Sequence, residues 1–157
     1  MKKNIRTAVI STIFLIAASA SAQSVSIRPQ SHPLRIRMGM ADSGNPSLAS
    51  LGFSYDIGVD QQANRLSLYG DSFGDIFSEN AWGTGLSLRH ELPIGWFGLG
   101  IGNYASNEGV FSPKKSQGLG GKVFIGSGKG SFFIEASANL MPKRTSPVSA
   151  FMVGMRF

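Results

Sequence analysis

From Leu34 to the last residue, apolar positions alternate with polar or small ones in eight short segments. They are 34–41, 50–59, 65–71, 82–91, 96–104, 118–126, 132–140 and 149–157. A period of two belongs to a strand with two unlike faces, because successive side chains point to opposite sides. The last segment shows it most clearly. Phe151, Val153, Met155 and Phe157 share one face, while Ala150, Met152, Gly154 and Arg156 share the other. A water-soluble tail is ordinarily polar and frayed, whereas this one finishes on an aromatic ring.

Charge follows the same division. Arg35, Arg37, Asp56, Arg65, Asp71, Arg89, Glu91, Lys122, Glu135 and Arg156 all fall on the mixed face, and none falls on an apolar one. A soluble barrel with its apolar face inward would give this alternation. So would a barrel in a bilayer with that face outward. Three features favour the bilayer. The mixed face is rich in glycine, which a solvent-facing exterior does not need but a narrow lumen does, to make room for Tyr69, Trp96, Phe124 and the arginines. The other face is almost wholly Leu, Ile, Val, Phe, Met and Ala, and a charge there would cost about 2–4 kcal/mol near the bilayer midplane. Finally, the connections alternate in length. Those at 60–64, 92–95 and 127–131 are short, and those at 42–49, 72–81, 105–117 and 141–148 are longer and polar. Short turns on the periplasmic side and long loops outside is the outer-membrane arrangement.

In hydrocarbon every backbone N–H and C=O must be paired within the protein, so the sheet has to close on itself. The expected fold is therefore all-β, a closed eight-stranded antiparallel up-and-down transmembrane β-barrel over 34–157. Its lumen would hold Arg35, Arg37, Arg65, Arg89 and Arg156 against Asp56, Glu91 and Glu135.

The start of the chain agrees with export. Lys2, Lys3 and Arg6 precede a mostly apolar run from Ala8 to Ala17, and Ala18-Ser19-Ala20-Ser21-Ala22 supplies a cleavage site. Residues 1–22 read as a signal peptide, too short in its apolar run for a bilayer-spanning helix of about 20 residues. Residues 23–33 form a polar lead-in restricted by Pro29 and Pro33. Removal of the signal leaves 135 residues and takes three basic ones with it, so the formal charge of +6 falls to +3. That balance, with no basic-aromatic pattern, speaks against nucleic acid. The chain contains no cysteine, so neither a disulfide framework nor an amino-terminal lipid attachment through Cys is available.

These residues resemble the small eight-stranded outer-membrane barrels of Gram-negative-type bacteria, such as the outer-membrane protein A and X barrels. The likeness is architectural and spans 34–157. Its most specific part is the terminal strand. In that family such a strand is a signal read by the barrel-assembly machinery, which the resemblance implies for Phe151, Val153, Met155 and Phe157. It further implies a monomer in the cell outer membrane, without a cofactor, whose partners are lipid, lipopolysaccharide and, during biogenesis, the assembly machinery. The expected role is structural or one of surface recognition, with no open pore. Modest loops argue against adhesion by protruding hairpins.

Three other chemistries are open to these residues. Some barrels of this kind resemble lipid A-modifying enzymes, which need a base beside a hydroxyl nucleophile. His32 precedes the first strand, and His90 lies on the apolar face while Ser87 points to the other, so no such pair is expected. Asp71, Asp75 and Glu79 lie four apart in the second outer loop and offer oxygen ligands for Ca²⁺, but match no calcium-loop spacing. Lys114, Lys115, Lys143 and Arg144, in the third and fourth outer loops, are a candidate cationic patch for lipopolysaccharide phosphates. Trp82, Tyr55, Phe132 and Phe157 are candidates for interfacial girdles. Phe73, Phe77 and Phe111 are expected in outer loops, capping the mouth. A secreted soluble barrel for an apolar ligand remains the rival fold-level reading, and it predicts inverted faces.

Overall fold

The apolar alternation becomes backbone pairing in a computed structural model that describes residues 32–42, 48–59, 64–74, 79–108, 114–144 and 146–157. The expected signal peptide and most of the lead-in lie outside them. The strands are β1 (Leu34–Asp42), β2 (Leu48–Val59), β3 (Asn64–Gly74), β4 (Glu79–Leu92), β5 (Gly95–Glu108), β6 (Lys114–Ser127), β7 (Phe132–Leu140) and β8 (Val148–Arg156). Each pairs antiparallel with its sequence neighbours, and β8 pairs with β1 to close the barrel. The seam runs from Arg35 opposite Arg156 to Asp42 opposite Ser149. Beyond it, the Phe157 amide donates to the Leu34 carbonyl at 2.8 Å and the Leu34 amide to the Phe157 carbonyl at 3.2 Å. Closure leaves no sheet edge, as a barrel without solvent at its wall requires.

The faces point as the bilayer reading demands. Met38 is 57% exposed, Phe53 52%, Leu86 45% and Val153 52%, whereas Arg35, Arg37, Arg89, Lys122 and Glu135 are 3% or less. Apolar side chains thus coat the outer wall and charges line the lumen. The soluble rival, which needs the reverse, is excluded on this observation. At the loop-side end the outer wall turns polar, with Asp42, Asn80, Asn103, Gln117 and Ser149 exposed.

Several expected boundaries move. Strands β4, β5 and β6 run to 14 residues each, beyond the roughly 9–11 that cross a bilayer. The third outer connection, expected at 105–117, is consequently shorter, and Lys114 and Lys115 sit on β6 opposite Glu108 and Asn107. Strand β3 continues to Gly74 and carries Phe73 into the lumen, where it is fully buried. Phe77 and Phe111 lie outside the described residues. At the other end, β4 and β5 are joined by Pro93-Ile94 alone, between the paired Leu92 and Gly95. Neither residue has positive φ, as a type I turn with Pro at its second position allows.

Candidate functional site

The lumen carries the chemistry of this molecule, and it is built in layers. On the loop side lies an apolar and aromatic plug: Tyr69, Phe73, Tyr104, Leu48, Val148 and Met152 are each 2% exposed or less. Tyr69 from β3 and Tyr104 from β5 meet hydroxyl to hydroxyl at 2.8 Å. Tyr104 fits because Gly83 and Gly120 flank its ring, and a Cβ at either position would collide with it. Alternating small and large residues around a narrow barrel is how such a lumen is filled.

Below the tyrosines is the first ionic layer. Asp71 accepts from Arg37 Nη2 at 2.7 Å through Oδ1 and from Lys122 Nζ at 2.8 Å through Oδ2. Glu135 Oε1 lies 3.4 Å from Arg37 Nε and 3.5 Å from Lys122 Nζ. Two cations and two carboxylates alternate, so each charge has two opposite neighbours. Lys122 also sits 5.2 Å from the Phe124 ring centroid and 5.5 Å from that of Tyr69. Buried charge is tolerable when it is paired in this way.

A second ionic layer lies toward the chain ends. Arg89 donates to Asp56 Oδ2 and to Glu91 Oε1, both at 2.8 Å. Ser67 donates to Asp56 Oδ1 at 2.6 Å. Arg65 Nε and Arg35 Nη2 each approach Glu91 Oε1 at 3.2 Å. Trp96 and Phe133 pack edge to face here with centroids 5.6 Å apart. Gly126 leaves the space that Trp96 occupies, and Gly154 the space for Phe133.

The sequence-derived candidates are placed as follows. Asp71 is a lumen carboxylate held by two cations, 4% exposed, so it is no loop ligand for Ca²⁺. Asp75 lies outside the described residues. No three His, Asp or Glu side chains among the described residues converge to hold a metal ion. His90 Nδ1 is 2.7 Å from Asn64 Oδ1, and its ring packs on Phe97 on the outer wall. Ser87 is buried in the lumen, so the wall of β4 separates the two groups. Of the basic candidates, Lys143 is exposed in the β7–β8 connection with φ of 64°, and Arg144 beside it is half-buried. Lys114 and Lys115 enter that rim from β6. In the terminal strand, Phe151, Val153, Met155 and Phe157 all face outward. Tyr55, Phe132 and Phe157 fall at the end where β1 begins and β8 finishes, Tyr55 pairing with Leu34, and Trp82 lies toward the opposite end.

The tyrosine pair was not singled out from sequence. Tyr104 stands on the mixed face of its segment, but β3 and β5 are not neighbours in the sheet. Only the curvature of the closed barrel brings the two hydroxyls together.

Comparison with solved structures matches this architecture. The amino-terminal β-barrel domain of OprF from Pseudomonas aeruginosa superposes with a TM-score of 0.55 at 15% identity, over 79% of this chain and 96% of that one. The fold is that of the small eight-stranded outer-membrane barrels. Neisserial surface protein A has a TM-score of 0.50 at 12% identity, over 78% of this chain and 92% of that one. No family model and no curated protein sequence matches the chain. At such identities the shared property of these outer-membrane barrels is the path of the backbone, while the lumen and rims must be read from this chain's own residues.

Proposed function

We propose that the protein is an integral outer-membrane barrel with a structural role in the envelope, a sealed lumen, and a basic outer rim that touches lipopolysaccharide. The observation that carries this reading is the continuous apolar outer wall around a lumen filled by the tyrosine plug and two ionic layers. Eight strands leave an interior just wide enough for side chains, and here the side chains present are large. Lys114, Lys115, Lys143 and Arg144 belong to one rim, where phosphate groups of the outer leaflet would meet them. The terminal Phe157, flanked outward by Met155, Val153 and Phe151, serves as the mark for barrel assembly. The chain acts as a monomer and performs no lipid A chemistry, since His90 and Ser87 occupy opposite faces of β4.

Fractionation followed by gel migration with and without heating tests the placement. The protein should partition with the outer membrane and migrate anomalously until boiled; recovery in a soluble fraction would refute it. Reversing the charge of all four rim residues should raise outer-leaflet permeability. Truncating Phe157 should lower the membrane-inserted fraction. Altered acyl chains in lipid A after overexpression would replace the structural role with an enzymatic one.

A further inference from the structure

The two ionic layers are not electrically alike. In the first, Arg37 and Lys122 are matched by Asp71 and Glu135. In the second, the side chains of Arg35, Arg65, Arg89 and Arg156 stand with the carboxylates of Asp56 and Glu91, and Glu91 Oε1 alone serves three of the arginines. Counting side chains of the described residues, that end of the lumen therefore holds two more cations than carboxylates.

The excess is concentrated at the seam. Arg156 forms no ion pair among the described residues, and it stands directly opposite Arg35 across β1 and β8. Like charges in that relation repel. Both guanidinium carbons lie 4.9 Å from the Trp96 ring centroid, and 5.6 and 5.7 Å from that of Phe133. The ring faces offset part of the repulsion. They do not use the N–H donors. Arg35 is 3% exposed, yet its Nε and Nη1 have no hydrogen-bond acceptor, and neither has Arg156 Nε. Buried donors without acceptors are costly, most of all on a charged group.

We infer that Arg35 and Arg156, backed by Trp96 and flanked by Arg65, form a binding site for a phosphate group at the end of the lumen where β1 begins and β8 finishes. Guanidinium forks match phosphate oxygens geometrically. A phosphate monoester carries about −1.5 to −2 at neutral pH, which answers the local excess. Entry is from the rim: Arg156 is half-buried, and the Arg65 side chain is 31% exposed, while Arg35 lies beneath. Free phosphate and the phosphate of a lipid headgroup at that rim share this chemistry.

The chain's two tryptophans make the test specific, because Trp82 lies on the outer wall toward the opposite end and Trp96 lies against the arginines. The full-length barrel carrying Trp82→Phe is refolded in a maltoside detergent, which contains no phosphate. Titration with inorganic phosphate at constant ionic strength should change Trp96 emission saturably. Arg156→Gln should weaken that response about tenfold, as the loss of a charge-assisted hydrogen bond implies. Gln117→Ala, exposed on the outer wall at the loop-side end, should leave it unaltered. Repeating the titration in phospholipid vesicles separates the sources. A response in micelles alone assigns the site to a headgroup, and a response in both assigns it to free phosphate. If Arg156→Gln does not refold, Arg156→Lys keeps the charge without the fork and should bind more weakly than the parent. No saturable change in micelles, or superimposable curves with and without the Arg156 substitution, would overturn the site. So would a urea midpoint of the unsubstituted barrel that phosphate and chloride shift equally.

Discussion

The hydroxyls of Tyr69 and Tyr104 meet at 2.8 Å inside the barrel, between strands that never pair with each other. This one bond reaches past β4 and ties together two strands that do not touch, within the plugged half of the lumen. Tyr104→Phe should remove it with little change in packing and cost about 1 kcal/mol in urea unfolding from micelles. Tyr104→Ala deletes the ring as well and should cost about 3–5 kcal/mol. The alanine variant alone should also raise ion conductance in planar bilayers. An equal conductance for both variants would show that the ring does not seal the lumen.

Asp71 bridges two buried cations, so its loss strands both. Asp71→Asn should destabilise the barrel by about 3–5 kcal/mol. Combining it with Lys122→Met should recover a large part, because one stranded charge goes too. Additive losses in this double-mutant cycle would mean that the pair is not coupled.

Gly126 is small so that Trp96 can lie against the β6 backbone. Gly126→Val should force the indole aside and cost about 1–3 kcal/mol. A red-shifted Trp96 emission in the Trp82→Phe background would accompany it. The same change at Gly121, where a Cβ would meet only ordinary contacts, should be tolerated, with emission unaltered.

Val153 faces outward, 52% exposed, between Met38 and Ile134 on the neighbouring strands. Val153→Arg should cost about 2–4 kcal/mol in a bilayer if this level lies near the midplane. Measured refolding into vesicles of increasing thickness should show the penalty growing. A neutral effect would place the residue away from hydrocarbon.

The period of two exposed the outer wall in the sequence because Met38, Phe53, Leu86 and Val153 had to be apolar for a reason that repeats at every second residue. It could not locate the strand ends on the loop side. Asn103 to Glu108 and Lys114 to Gly118 show no apolar alternation, yet their backbones continue the ladder past the apolar wall. For the same reason the period of two leaves Phe73 in a loop, whereas the extension of β3 to Gly74 places it inside. The ion pairs were legible as an inventory of charges on one face. Their partners were not, because Arg37–Asp71 and Lys122–Asp71 reach between strands that are not adjacent in the sheet.

The β1–β8 seam has a kinetic consequence. Its two strands lie at nearly opposite limits of the polypeptide, so they form the most sequence-distant ladder of the molecule. Such pairings close late and slowly, since the loop entropy must be overcome before the contacts form. Until β8 reaches β1, the sheet keeps an open edge on β1 with nothing to pair it. The β1–β8 ladder is therefore the pairing that removes the last two open edges, and no other pair of strands can do so.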